Sequence, residues 1–108
     1  MRIETGWKPE DLEKPQIYIS STFGDSHPES AHLDALVQGA RLGAAKAGGI
    51  GARYYCTDMC DGECQGTDGI NYSLPSREMI ANMIEIQAEA TPFDAGVFIS
   101  SCDKGMPG

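Results

Sequence analysis

The reading of the fold turns on Ala95-Gly-Val-Phe-Ile-Ser100, which runs directly into Ser101-Cys102-Asp103-Lys104-Gly105. A short apolar run with β-branched and aromatic side chains, bounded by Thr91-Pro92 before it and polar residues after it, reads as a strand. Working outward, Gln16-Ile-Tyr-Ile-Ser20 is a second run of this kind and Ala52-Arg-Tyr-Tyr55 a third. Between the first two strands, residues 29–46 repeat Leu33, Leu36, Val37, Ala40 and Ala44 at helical spacing, which gives one apolar face. Gly48-Gly49 then offers the left-handed stop of a helix end. Residues 56–71 are polar, carry Gly62, Gly66 and Gly69, and read as a long loop. A second helix follows, with Pro75 in its first turn and Glu78 near its positive end. Met79, Ile80, Met83, Ile84 and Ala88 make the stripe expected to be buried.

The order strand, helix, strand, helix, strand predicts an α/β fold: part of an α/β/α domain with a parallel sheet and right-handed crossovers. In such sheets ligands bind beyond the carboxyl ends of the strands. The segments expected there are 21–27, 56–69 and 101–108, which hold most of the polar and sulfur-bearing side chains. A three-stranded sheet of this kind leaves an exposed edge, so further polypeptide, on the same chain or on a partner, is expected beside it.

Composition narrows the function classes. A length of 108 residues suits one domain. The formal charge of -8 argues against nucleic acid, whose phosphates are bound through Lys and Arg, and against an anionic membrane surface. No stretch is long and apolar enough to span a bilayer. The first fifteen residues are mixed and charged, unlike a secretory leader, so a cytoplasmic location is expected. In that setting the four cysteines, Cys56, Cys60, Cys64 and Cys102, read as metal or cluster ligands before disulfides.

Cys102-Asp103-Lys104 places a soft thiolate, suited to iron or an iron–sulfur cluster, beside a hard carboxylate, suited to magnesium. Lys104 could position an anionic substrate or, once carbamylated, become an oxygen ligand. The plainer reading is a loop with a small buried cysteine and a surface ion pair. Cys56-x-x-x-Cys60-x-x-x-Cys64 surrounds Asp61. Cys60 is as readily a cluster ligand as a packed thiol, while Cys56 and Cys64 read as reduced thiols near the site. His27 and His32 read as packed or capping residues at a helix start, with His32 able to support the site by a hydrogen bond. Ser73 or Ser76 could cap the second helix, whose free amides could then hold a substrate carboxylate.

Ser100-Ser-Cys-Asp-Lys-Gly-Met-Pro-Gly108 resembles the Cys-Asp-Lys-x-x-Pro-Gly signature of the dihydroxy-acid and phosphogluconate dehydratase family. Asp61-Gly62, with Gly66-Thr-Asp-Gly-Ile-Asn-Tyr-Ser-Leu-Pro-Ser-Arg-Glu78, is similar to that family's second signature. Pro28-Glu-Ser-Ala-His-Leu33 and Ala47-Gly-Gly49 fall where its members carry similar segments. The resemblance implies that residues 1–14 are an extension and 15–108 the amino-terminal portion of the dehydratase α/β domain, incomplete without further polypeptide. It implies that Cys102 ligates an iron–sulfur cluster, of the 2Fe-2S or 4Fe-4S type. It also implies that Asp61, Asp103 and carbamylated Lys104 bind magnesium, with Lys104 counted among the catalytic residues. A second cluster cysteine, a further Glu ligand and a serine base are expected outside this sequence. One departure is Glu29, which stands where some members have a cluster cysteine; Cys60 is the candidate replacement.

The implied reaction is loss of water from a 2,3-dihydroxy acid to give a 2-keto acid. The acid is either branched, as in amino-acid biosynthesis, or a sugar acid, with Cys60-Asp-Gly leaning towards the latter. The expected partners are that small molecule, the remaining dehydratase polypeptide or subunit, and further copies in a homo-oligomer. The alternative is a non-catalytic iron–sulfur or metal-binding module, or the small subunit of a split dehydratase.

Overall fold

A computed structural model describes residues 1–108. Three strands, β1 (Gln16–Ser21), β2 (Ile50–Tyr55) and β3 (Ala95–Ile99), alternate with helices. The helices are α1 (Pro28–Ala31), α2 (Leu33–Lys46), α3 (Asp61–Cys64), α4 (Ser73–Ala90) and α5 (Cys102–Gly105). Short 3-10 turns occupy Ile3–Thr5, Pro9–Glu13 and Asp68–Tyr72.

The strands form one parallel sheet in the order β2-β1-β3. Gln16 pairs with Ile50 on one side of β1, and Ile17 with Ala95 on the other. The fold is therefore the α/β class expected. Because the first crossover steps to one side of β1 and the second to the other, right-handed connections require helices on both faces. The side chains agree. Ile19 reaches under Gly51 beside Arg41 of α2, while Tyr18, one residue earlier and on the opposite face, donates from Oη to Gln87 Oε1 of α4 at 2.8 Å. Tyr18 also packs against Tyr54, Phe93 and Phe98. The core is small and centres on Tyr18, Ile19, Leu33, Val37 and Ile80.

Local chemistry explains most boundaries. At the end of α2, Gly48 has φ +88°, its amide donates to Ala45 O at 3.1 Å and the Gly49 amide to Ala44 O at 2.8 Å. These two bonds make a Schellman motif, which needs a left-handed residue where Gly48 stands. Strand β2 begins two residues earlier than Ala52, because Ile50 and Gly51 pair with β1. The single helix expected over 29–46 is two, since the chain leaves helical geometry at His32 (ψ -2°). Residues 56–71 are more ordered than a loop: α3 and a 3-10 turn lie within them, joined by Thr67, whose hydroxyl donates to Cys64 O and accepts from the Gly69 amide.

Two expectations about burial are corrected. Met79 and Met83 are 62% and 40% exposed rather than core. On α4, Ile80 is buried and Gln87 reaches the sheet through Tyr18, and a residue one place off that line is turned by about 100°. Leu36 is likewise exposed, because α2 buries only the narrow line of Leu33 and Val37. Helix α4 starts at Ser73, two residues before Pro75; Tyr72 is its N-cap without a side-chain bond, and Ser76 Oγ donates to Ser73 O.

Candidate metal centre

The carboxyl ends of all three strands carry the polar residues of interest. After β1 the chain runs through Thr22 to His27, after β2 through Cys56 to Asp61, and after β3 directly into α5. Buried hydroxyls stitch these ends together: Thr22 Oγ1 lies 3.1 Å from Ser100 Oγ, and the Thr22 amide donates to Ile99 O at 3.3 Å.

Asp61 is the first residue of α3, and Asp103 and Lys104 lie in α5. Lys104 Nζ donates to Asp61 Oδ2 at 2.7 Å and also to Asp103 Oδ2. The three residues proposed from sequence for magnesium are thus brought together around one cationic position. Hydrogen bonds from the Lys104 ammonium hold the Asp61 carboxyl below the usual carboxylate range. In return the Asp103 and Asp61 carboxylates push the Lys104 amine up. Asp61 Oδ1 is buried and has no partner, an arrangement that ordinarily calls for a cation or donor.

Cys102 opens α5 with φ +66°, the one non-glycine residue in the left-handed region. Such a conformation costs on the order of 1–3 kcal/mol and tends to mark functional positions. Its thiol is favoured as thiolate by the Asp103 backbone amide, but burial and the Glu29 carboxylate outweigh this and push it up. Glu29 is drawn to the same place, because Ser101 Oγ donates to Glu29 O at 2.9 Å. Ligand atoms of His27, Glu29 and Cys102 all lie within 4.8 Å of one another. Cys60 is not part of this cluster, Cys64 rests against Gly69, and Cys56 is buried. Burial pushes the Cys56 thiol up.

His27 is the N-cap of α1 without a side-chain cap bond, and it is buried as expected of a packed residue. Its Nε2 lies 3.0 Å from Asp58 Oδ2 and 3.0 Å from Ser30 Oγ. Asp58, 7% exposed, also accepts from Ser26 Oγ at 2.7 Å and from Ser30 Oγ. His27 Nδ1 is buried and unpartnered. His32 is exposed and lies over Pro28 O, away from this cluster. Glu29 stands at the position the sequence marked as a departure from a cluster cysteine, whereas Asp58 and its contact with His27 were not signalled by any local motif; the partners of Asp58 lie 28 to 32 residues away in sequence.

Comparison with known proteins supplies the family. Residues 14–108 match the model described as "Dihydroxy-acid/6-phosphogluconate dehydratase N-terminal". The chain is 39% identical over 103 residues to a dihydroxy-acid dehydratase of Agathobacter rectalis, covering 95% of this chain and 18% of that protein. It is 41% identical to dihydroxy-acid dehydratase 2 of Staphylococcus saprophyticus, with the same coverages of 95% and 18%. To the dihydroxy-acid dehydratase of Methanococcus aeolicus it is 42% identical, over 95% of this chain and 19% of the relative. The chain therefore spans about a fifth of the length of the curated relatives it matches. No helix is long and apolar enough to cross a membrane. With both signatures folded onto one end of a parallel sheet and the match running from residue 14 to residue 108, the chain belongs to the dihydroxy-acid/6-phosphogluconate dehydratase family, in its amino-terminal domain.

Proposed function

We propose that this chain supplies the metal-binding part of a hydro-lyase that removes water from a 2,3-dihydroxy acid, branched or sugar-derived, and releases a 2-keto acid. The observation that carries this reading is the convergence of Asp61, Asp103 and Lys104 beside Cys102 at the carboxyl end of the sheet. The residues fit magnesium: two carboxylates already face one cationic position, held now by the Lys104 ammonium, and Asp61 Oδ1 is buried without a partner. They also fit a soft metal such as the iron of a cluster, since Cys102 presents a thiol one residue away from Asp103. Bound magnesium and iron would supply Lewis acidity for a C2 oxygen and for the departing C3 hydroxyl.

The chain's own residues then have distinct tasks. Asp61 and Asp103 both bond the Lys104 ammonium, and its hydrogen bond holds the Asp61 carboxyl below the usual carboxylate range. Carbamylation of Lys104 would turn its ammonium into a third oxygen donor at that place. Ser101, tied to Glu29 O, fixes α1 against the start of α5. The elimination breaks the C2–H and C3–O bonds, and the enol of the product tautomerises to the keto acid. The base that takes the C2 proton and the remaining ligands come, on this reading, from polypeptide outside these 108 residues, within a homo-oligomer.

Anaerobic reconstitution of the intact protein with iron, sulfide and magnesium, followed by assay of 2-keto acid from branched and sugar-derived substrates, tests the reading. Product formation that is lost in Asp103→Asn and Cys102→Ser supports it. Metal uptake without product from either class would favour a non-catalytic metal-binding module.

A further inference from the structure

Away from the metal centre, a cavity of about 330 Å³ opens along the outer edge of β2. Its wall carries Arg2, Arg41 and Arg53, three of the chain's four arginines, with Trp7 and Tyr54 beside them and no Asp or Glu. Across the chain Asp and Glu outnumber Lys and Arg by 16 to 8, so a wall with three cations and no anion runs against the composition. None of these three arginines is ion-paired with a carboxylate, whereas the fourth, Arg77, is held by Glu78. The acidic side chains of the amino-terminal turns are engaged elsewhere, Glu4 by the amino terminus and Asp11 by Lys14.

Local structure accounts for the grouping. The Arg2 guanidinium lies 4.8 Å from the Trp7 ring centre and 5.5 Å from that of Phe93, so aromatic rings and not a counter-ion hold it in place. The stem of Arg41 crosses β2 at Gly51, where a Cβ would stand 3.3 Å from Arg41 Cγ. Strand β2 is an outer strand of the sheet. The Ile50 and Cys56 amides donate inward, to Pro15 O at 2.9 Å and Ser21 O at 3.0 Å. Alternation along the ladder therefore turns the Gly51 and Arg53 amides outward, to the free edge that borders the cavity. Edge amides and guanidinium forks share a preference for oxygen acceptors that carry negative charge.

We propose that this cavity is an anion site that takes a small polyvalent oxyanion, bearing phosphate or carboxylate groups. It is separate from the dehydratase centre, because it borders residues 51–54 of β2 whereas Asp61 and Asp103 lie beyond the strand ends. The proposal stands independently of the reaction assigned to that centre.

The test titrates inorganic phosphate and, in a second series, succinate into the intact protein at an ionic strength fixed with chloride, read by calorimetry and by tryptophan emission. The expected result is saturable binding of one anion per chain, with an emission change that vanishes in Trp7→Phe. Tighter binding of phosphate assigns a phosphate ester as the ligand class, and tighter binding of succinate a di- or tricarboxylate. Arg53→Gln, at an exposed position, should leave the circular dichroism spectrum unchanged and weaken binding about tenfold or more, the usual loss for a hydrogen bond to a charged group. Lys46→Gln removes the same charge from an exposed position on α2 outside the cavity and should leave the affinity as it was. No saturable binding of either anion, unchanged affinity in Arg53→Gln, an equal loss in Lys46→Gln, or an emission change that survives in Trp7→Phe would each overturn the proposal. Asp103→Asn separates it from the dehydratase reading: anion affinity should be retained there, and a loss would place the anion at the metal centre and overturn the separate site. None of these readouts depends on turnover, so absence of 2-keto acid product would count against the dehydratase reading alone.

Discussion

Lys104 sits between two carboxylates, and that position governs how Asp61 titrates. The bond from Lys104 is the largest cause of the depressed Asp61 value. A carboxyl whose folded pKa lies below its unfolded one, about 3.9, adds stability above that value and loses it as pH falls through the folded pKa. In Lys104→Met the depression should shrink, so carboxyl-detected NMR should find Asp61 titrating at higher pH than in the wild type. An unmoved Asp61 would mean the pair does not persist in solution. A second residue-scale expectation concerns Gly105. A Cβ there would stand 2.6 Å from Ser100 Oγ, 3.1 Å from Asp58 Oδ2 and 3.3 Å from Thr22 Oγ1. All three are parts of the buried polar network joining the strand ends, so none can yield freely. Gly105→Ala should cost about 1–3 kcal/mol, the usual range for overpacking, read as a lower denaturant midpoint. At this scale the sequence carried the Asp61, Asp103 and Lys104 grouping, because Asp103 and Lys104 are adjacent and Asp61 belongs to a recognisable motif. It could not carry the His27–Asp58 contact, where a loop after one strand meets a loop after another and neither residue sits in a spacing pattern.

At the scale of elements, periodicity was informative about existence and poor about what each face meets. Strand β3 and helix α4 lie where an apolar run and a helical repeat place them. The break at His32 was not legible, since Pro28 and the spacing from Leu33 onward suit one continuous helix as well as two. Burial of Met79 and Met83 was misjudged for a different reason. Binary patterning tells which residues are apolar, not whether a partner surface is present, and α4 buries only Ser73 and Ile80 while reaching the sheet through Gln87. The glycine stop at the end of α2 is the opposite case, where a sequence signal maps onto one backbone requirement. Gly48 at φ +88° has open space around a would-be Cβ, so Gly48→Ala tests conformation without a steric clash. An alanine held left-handed costs roughly 1–2 kcal/mol. The denaturant midpoint should fall with an unchanged m-value, because surface exposure on unfolding is the same. A midpoint equal to the wild type would show that the α2 terminus frays without cost.

Across the whole molecule the core is thin: 17 of 108 residues are buried. The radius of gyration is 15.4 Å with extents of 52 × 26 × 22 Å, whereas a compact chain of this length should be near about 13 Å. Val97 and Phe98 on β3, with Ile86 on α4, remain exposed. Stability therefore draws heavily on what joins the strand ends, and that is where metal binding should be felt. Lys104 and Asp61 are 43 residues apart in sequence, so an unfolded chain has no preformed magnesium site. A ligand that binds only the folded state stabilises it by about 2.7 kcal/mol at a hundred times its Kd. For a domain near this size, each 1 kcal/mol moves the melting midpoint by about 4–8 °C. Thermal unfolding of the intact protein should thus shift upward with increasing magnesium and return to the starting midpoint when a chelator is added. In Asp61→Asn a neutral amide with Oδ1 and Nδ2 replaces the anionic carboxylate, so the metal-free midpoint should fall with the loss of the Lys104 ion pair and the magnesium-dependent part of the shift should disappear. A shift of equal size in Asp61→Asn would place the magnesium elsewhere on this acidic surface and remove Asp61 from the site.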